Sequence, residues 1–189
     1  IDTYAKHGAF DKAKYIFDKL SVHDVVTWNA LISGYVQYGH HEEALGCFEL
    51  MQCKGTPAPD VVTYICILRV CRDTKNIDKG KQIHETVTSG MLDKDIMLAT
   101  TLVDMYTNCG SLQKAQKVLE EISVCNVASW NALMQGYIEH EQFYEALDCF
   151  IWMKRNRISP NETTFVCVLK ACSTIGAFEK GKKIHDELI

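Results

Sequence analysis

Apolar residues recur along this chain at intervals of three and four. Trp28, Leu31, Ile32 and Tyr35 form one stripe, and after Gly39 a second follows with Ala44, Phe48 and Met51. That period marks amphipathic helices, so each such stretch predicts two helices joined by a short turn. Gly8, Gly39, Gly110 and Gly176 fall at the same place between the two stripes. A glycine there can take the left-handed conformation that ends a helix. Lys75 and Glu141 stand at that place in their own stretches and break the rule.

The pattern itself repeats. Trp28-Asn29-Ala30-Leu31 returns as Trp130-Asn131-Ala132-Leu133, Gly34-Tyr35 as Gly136-Tyr137, and Glu43-Ala44-Leu45 as Glu145-Ala146-Leu147. Cys47-Phe48 returns as Cys149-Phe150. After one slipped residue near Thr56-Pro57, Lys79-Gly80-Lys81 and Ile83-His84 return as Lys180-Gly181-Lys182 and Ile184-His185. Each long period holds three shorter repeats. Their expected spans are 1–24 (partial), 25–60, 61–95, 96–126, 127–161 and 162–189 (partial). One helix pair cannot bury its stripe alone, whereas stacked pairs share a continuous core. The expected fold class is therefore all-α, a solenoid of helix-turn-helix repeats. Ile1 falls inside the apolar pattern, so the chain reads as a fragment cut at both ends, with any targeting segment upstream.

Composition narrows the chemistry. Apolar residues make up 47% and charged residues 23%, which predicts a packed fold. No apolar run is long enough to span a bilayer, and no membrane association is expected. The nine cysteines include no C-x-x-C and form no cluster with histidine at zinc-finger spacing. They read as small buried hydrophobes, and an odd count suits a reducing compartment. His40-His41-Glu42 contains an H-x-E but lacks the downstream P-C-x-x-C of zinc deaminases, so it reads as a solvated helix start. His84 and His185 read as packing residues, and Trp28 and Trp130 as core rather than base-stacking residues. Asn161-Glu162-Thr163 matches a glycosylation sequon, discounted in a thiol-rich chain. No cofactor, metal site or catalytic constellation emerges. The net charge of −4 argues against gripping nucleic acid by bulk electrostatics.

Val25 to Tyr35, with Glu43-Ala44-Leu45, Phe48 and Met51 after it, resembles the ordinary unit of the pentatricopeptide repeat family. Residues 61–95, with Leu68, Cys71 and Lys79 to His84, resemble its long variant. Residues 96–126, with Leu102 to Tyr106 and Cys109 to Leu112, resemble its short variant. That order is the one of the plant organellar PLS subclass. The tetratricopeptide pattern fits less well: where it wants a mid-helix glycine the chain has Ile32, Val103 or Leu169, and Met51 or Met153 stands where it wants a small residue.

The resemblance implies a right-handed solenoid that binds single-stranded RNA, one base per repeat. The fifth and last residues of each repeat would read the base, and the second would wedge between bases. Carried over, Asn29 with Asp60 favours U, Thr100 with Asn126 favours A, and Asn131 with Asn161 favours a pyrimidine, C before U. Val26, Val62, Met97, Ala128 and Thr163 would be the wedges. In the long repeats Ile65 with Asp95, and Val166, would read weakly or not at all. Asp24 closes a first repeat whose fifth residue lies upstream. The implied site is U-x-A-(C/U)-x. The family's phosphate-touching lysine position holds Lys6, Gln37, Asp73, Asn108, Glu139 and Thr174, so only Lys6 keeps the charge.

The implied role is a specificity factor for organellar RNA processing or C-to-U editing, in mitochondrion or chloroplast. Other RNA-processing proteins are further expected partners. The chain would not be an enzyme, and deaminase chemistry would belong to a separate carboxy-terminal domain. A tetratricopeptide-like protein-interaction scaffold is the alternative. Polar residues early in a helix also serve as caps, and that reading competes with base recognition for Asn29, Thr100 and Asn131.

Overall fold

The structure is a computed structural model that describes residues 1–55, 57–88, 95–121, 126–177, 179 and 182. Among them the regular elements are α-helices, arranged in two compact units, Ile1–Met91 and Leu92–Ile189. The first unit contains α1 (Asp2–Lys6), α2 (Phe10–Lys19), α3 (Val25–Gln37), α4 (His41–Lys54), α5 (Val61–Asp73) and α6 (Ile77–Val87). The second contains α7 (Ile96–Asn108), α8 (Leu112–Glu121), α9 (Val127–Glu139), α10 (Phe143–Arg155) and α11 (Glu162–Thr174). Lys180, Gly181, Ile184 and His185 lie outside the described residues, as does Thr56 at the slipped position.

Within each unit the odd-numbered helices stack on one another, and each even-numbered helix packs on its own partner. In the first unit α3 lies between α1 and α5, while α4 rests on α3 and α5. In the second, α9 lies between α7 and α11, with α10 resting on α9 and α11. The two stripes of the 25–55 stretch meet in this core: Trp28, Leu31, Ile32, Tyr35, Ala44, Phe48 and Met51 are all buried. Trp130, Leu133, Tyr137, Phe150 and Met153 do the same in the second unit. Burying a side chain of this size stabilises by about 1.5–3 kcal/mol.

Stacking is close enough to demand glycine at one point in each unit. A Cβ on Gly34 of α3 would lie 2.5 Å from Ala5 Cβ and 3.2 Å from Ala5 Cα in α1. A Cβ on Gly136 of α9 would lie 2.1 Å from Thr107 Cγ2 in α7. The Gly34-Tyr35 and Gly136-Tyr137 match in the sequence has this packing as its reason.

The turns after α1, α3, α5, α7, α9 and α11 share one geometry. The residue two beyond the helix sits at positive φ: Gly8, Gly39, Lys75, Gly110, Glu141 and Gly176. Its N–H and that of the next residue bond back to the last turn, as His40 N–H does to Tyr35 O at 2.9 Å and Gln142 N–H to Tyr137 O at 2.8 Å. This is the Schellman arrangement. Lys75 (φ 55°) and Glu141 (φ 59°) keep it without glycine, so the broken sequence rule does not break the turn. A left-handed non-glycine residue costs about 1–2 kcal/mol, and a glycine gives back roughly 0.5–1 kcal/mol through the unfolded chain. We expect Glu141→Gly to raise stability by about 0.5–1 kcal/mol, read by urea unfolding. A variant no more stable than the parent contradicts this account.

Candidate nucleic-acid interface

Every first helix from α3 onward opens on an Asp or Asn that accepts from the backbone N–H three residues ahead. Asp24 accepts from Thr27 at 2.7 Å, Asp60 from Thr63 at 2.9 Å and Asp95 from Leu98 at 2.9 Å. Asn126 accepts from Ser129 at 3.0 Å and Asn161 from Thr164 at 3.1 Å. Each such cap contributes about 1 kcal/mol. The capping task therefore falls to these residues. Asn29, Thr100 and Asn131, the fifth residues of α3, α7 and α9, stand one turn inside their helices and cap nothing.

Two caps also hold the fifth side chain of the preceding first helix. Asn29 Nδ2 donates to Asp60 Oδ1 at 2.9 Å, and Asn29 Oδ1 accepts from Thr63 Oγ at 2.6 Å. In the second unit Asn131 Nδ2 donates to Asn161 Oδ1 at 2.9 Å, and Asn131 Oδ1 accepts from Thr164 Oγ at 2.7 Å. Each amide keeps one N–H and one lone pair uncommitted, a donor and an acceptor side by side. Such a pair matches the edge of a nucleobase. Asn29 is half-buried, and Asn131, at 8% exposed, is buried.

The third cluster uses hydroxyls. Thr100 Oγ donates to Ile96 O at 2.7 Å and shares a 2.9 Å hydrogen bond with Ser129 Oγ, which lies 3.1 Å from Asn126 Oδ1. Ile65, the fifth residue of α5, is half-buried, and Val166, the fifth of α11, is 65% exposed. Neither carries a polar side-chain atom, and Asp95 caps α7.

The second residues of the same helices are exposed although most are apolar. Val26 is 69% exposed, Met97 59% and Val62 49%, and Ala128 and Thr163 are also exposed. Residues three apart share a helix face, so each lies beside the fifth residue of its own helix. An apolar edge next to a donor–acceptor edge suits a flat ligand that stacks and hydrogen-bonds at once.

Little positive charge accompanies this face. Lys6 forms an exposed ion pair with Asp2 at 2.7 Å. Gln37, Asp73, Asn108, Glu139 and Thr174 occupy the matching helix ends. Trp28 and Trp130 are buried and are core residues. Burial pushes the Cys47 thiol up to about 11 and the Cys149 thiol to about 12, so both stay protonated and inert. Cys53, by contrast, is exposed at the end of α4. His40 packs on Phe10 with ring centroids 4.8 Å apart, and His84 is half-buried on α6. Among the described residues no three His, Cys, Asp or Glu side chains converge as metal ligands.

Thr63, Ser129 and Thr164 were not among the site residues inferred from sequence. Their signal was present: a hydroxyl three residues after a capping Asp or Asn, the spacing of a capping box. Both Asp60–Thr63 and Asn161–Thr164 form that box.

A family model described as the PPR repeat family matches residues 23–73 and 125–174. A second, described as the PPR repeat, matches residues 1–25 and 99–127. The chain is 35% identical to the Arabidopsis thaliana pentatricopeptide repeat-containing protein CRR2, chloroplastic, over 100% of this chain and 29% of that protein. It is 37% identical to another chloroplastic pentatricopeptide repeat-containing protein of Arabidopsis thaliana, over 97% of this chain and 22% of that protein. The chain thus spans about a quarter of the length of these relatives. The pentatricopeptide repeat protein PPR10 from maize superposes with a TM-score of 0.72 at 21% identity, over 96% of this chain and 26% of that one. The PPR domain of Arabidopsis thaliana protein-only RNase P 1, solved with tRNA, gives 0.70 at 11% identity, over 91% and 94%. At such identities the likeness speaks for the fold alone.

Partial burial pushes the Asp60 carboxyl up, but hydrogen bonds from the Thr63 N–H, the Asn29 amide and the Thr63 hydroxyl outweigh it. The net value lies below the usual carboxylate range. Its stabilising contribution is therefore present above the unfolded value of about 3.9 and is lost as pH falls through the lower folded value. Asn161, in the matching place, does not titrate. We expect Asp60→Asn to remove part of the acid-induced loss of stability, followed as thermal unfolding from about pH 5 to about pH 2. An acid dependence identical to the parent's would contradict it.

Proposed function

This chain belongs to the pentatricopeptide repeat family, and from that premise we propose that it binds single-stranded RNA sequence-selectively. The observation that carries the reading is the pair of Asn29 and Asn131 amides, each held by a cap and a threonine hydroxyl beside exposed second residues. Asn29 with Asp60, Thr100 with Asn126, and Asn131 with Asn161 read bases. Val26, Val62, Met97, Ala128 and Thr163 separate them. Ile65 with Asp95, and Val166, read weakly or not at all. The repeats run 25–60, 61–95, 96–126 and 127–161, flanked by partial repeats at 1–24 and 162–189. Support from neighbours is that PPR10 was solved with an 18-nt psaJ RNA element and the PPR domain of protein-only RNase P 1 with tRNA.

The ordinary, long, short order assigns the chain to the PLS subclass, as the specificity segment of an organellar RNA-processing or C-to-U editing factor. Relatives named chloroplastic favour the chloroplast over the mitochondrion. The chain itself carries no catalysis, and a deaminase would be a separate carboxy-terminal domain. Other RNA-processing proteins are the further partners. Family membership favours this role over a tetratricopeptide-like scaffold.

Stacking supplies about 1–3 kcal/mol per base, and three reading positions must also offset the ordering of the strand. Affinity should be about micromolar or weaker. A gel-shift series varying U-x-A-(C/U)-x one base at a time is expected to weaken binding at the first, third and fourth places only. Equal binding of all variants rejects the assignment.

With Lys6 as the lone cation at the phosphate-touching places, binding should depend shallowly on salt. A slope of log affinity against log salt near −0.7 follows from about one neutralised phosphate on a single strand. A slope beyond about −3 overturns this charge accounting.

A further inference from the structure

We infer that Thr63 and Thr164, the third residues of α5 and α11, are positioning residues for base selection. Each orients the fifth side chain of the preceding first helix. The inference rests on the base-reading assignment proposed above. An asparagine amide turns about its last torsion at little intrinsic cost, and turning it exchanges donor for acceptor. The two orientations would favour different base edges, so an amide that selects a base needs its orientation set.

The setting starts from groups that cannot turn. The Thr164 N–H pins Asn161 Oδ1 at 3.1 Å. That oxygen takes Asn131 Nδ2 at 2.9 Å, and the Thr164 hydroxyl, 3.0 Å from the same oxygen, points its proton at the nearer Asn131 Oδ1 at 2.7 Å. Thr164 is fully buried, as is Thr63, and Ser129 is 3% exposed. A buried hydroxyl is held to the partners it has. In the first unit the Thr63 hydroxyl reaches Asn29 Oδ1 at 2.6 Å in the same manner. There the acceptor beside Nδ2 is the Asp60 carboxylate, which already repels a turned amide. Hydrogen bonds to an ionised group are roughly twice as strong as neutral ones, so Asn29 depends less on Thr63 than Asn131 does on Thr164.

The pairing in the sequence agrees. The fifth residues Asn29, Thr100 and Asn131 are followed by the hydroxyls Thr63, Ser129 and Thr164 at the third place of the next first helix. Ile65, with nothing to orient, is followed by Leu98.

The test compares the full chain with Thr164→Val, Thr164→Ser, Thr63→Val and Asn131→Ala. RNA oligonucleotides carry each of the four bases at the place assigned to Asn131 or to Asn29, and thermal unfolding is followed in parallel. We expect Thr164→Val to lower base discrimination at the Asn131 place at least threefold and to leave the Asn29 place unchanged. Thr164→Ser should restore discrimination, and Thr63→Val should cost less at the Asn29 place. If Asn131→Ala abolishes discrimination while Thr164→Val only lowers stability or overall affinity, the positioning role is overturned. If Asn131→Ala leaves discrimination intact, the base-reading assignment fails and this inference with it. Should Thr164→Val not fold, Thr63→Val decides the question: lowered discrimination at the Asn29 place upholds the role, and unchanged discrimination there overturns it.

Discussion

Asp60 Oδ1 serves two helices at once. It accepts the Thr63 N–H of the helix it caps and the Asn29 side chain of the helix before it. Asn161 Oδ1 does the same for α11 and Asn131. The first bond answers a local need, since the opening turn of a helix leaves N–H groups without partners. The second is available only because neighbouring first helices stack closely. Once both are made, the fifth side chain is tied to the backbone of the next helix rather than left to sample rotamers in solvent.

That closeness is bought at Gly34 and Gly136, where any side chain would collide with the adjacent first helix. The second residues of the first helices from α3 onward remain exposed, beside fifth residues that are half-buried or buried except for the exposed Val166. The apolar second residues stay exposed there, against the usual preference for burial. On the reading proposed above, such a face suits stacking on bases.

The buried cysteines and His40 contribute to packing. Cys66, Cys71, Cys149, Cys167 and Cys172 are buried small hydrophobes. His40 meets Phe10 and Tyr35 edge-on in an aromatic group. On the proposed reading, the second and fifth residues offer a ligand stacking surface and a few oriented dipoles.

Periodicity alone was enough to read the helices, because a buried stripe must recur every three to four residues whatever the neighbours are. Trp28, Leu31, Ile32, Tyr35, Phe48 and Met51 were all legible as core. The exposed second and polar fifth residues were legible only as members of a repeat. Other features depended on contacts between residues some thirty positions apart, which no local pattern encodes. The left-handed turns at Lys75 and Glu141 are imposed by the pairing of helices on either side, despite their side chains. The roles of Gly34 and Gly136 appear only when a second helix lies against them. The partnership of Asn29 with Thr63, and of Asn131 with Thr164, exists only after stacking brings a capped helix end within hydrogen-bonding distance of the preceding helix. Local sequence sets which residues are apolar, capping or polar; packing at short range decides which of those groups meet.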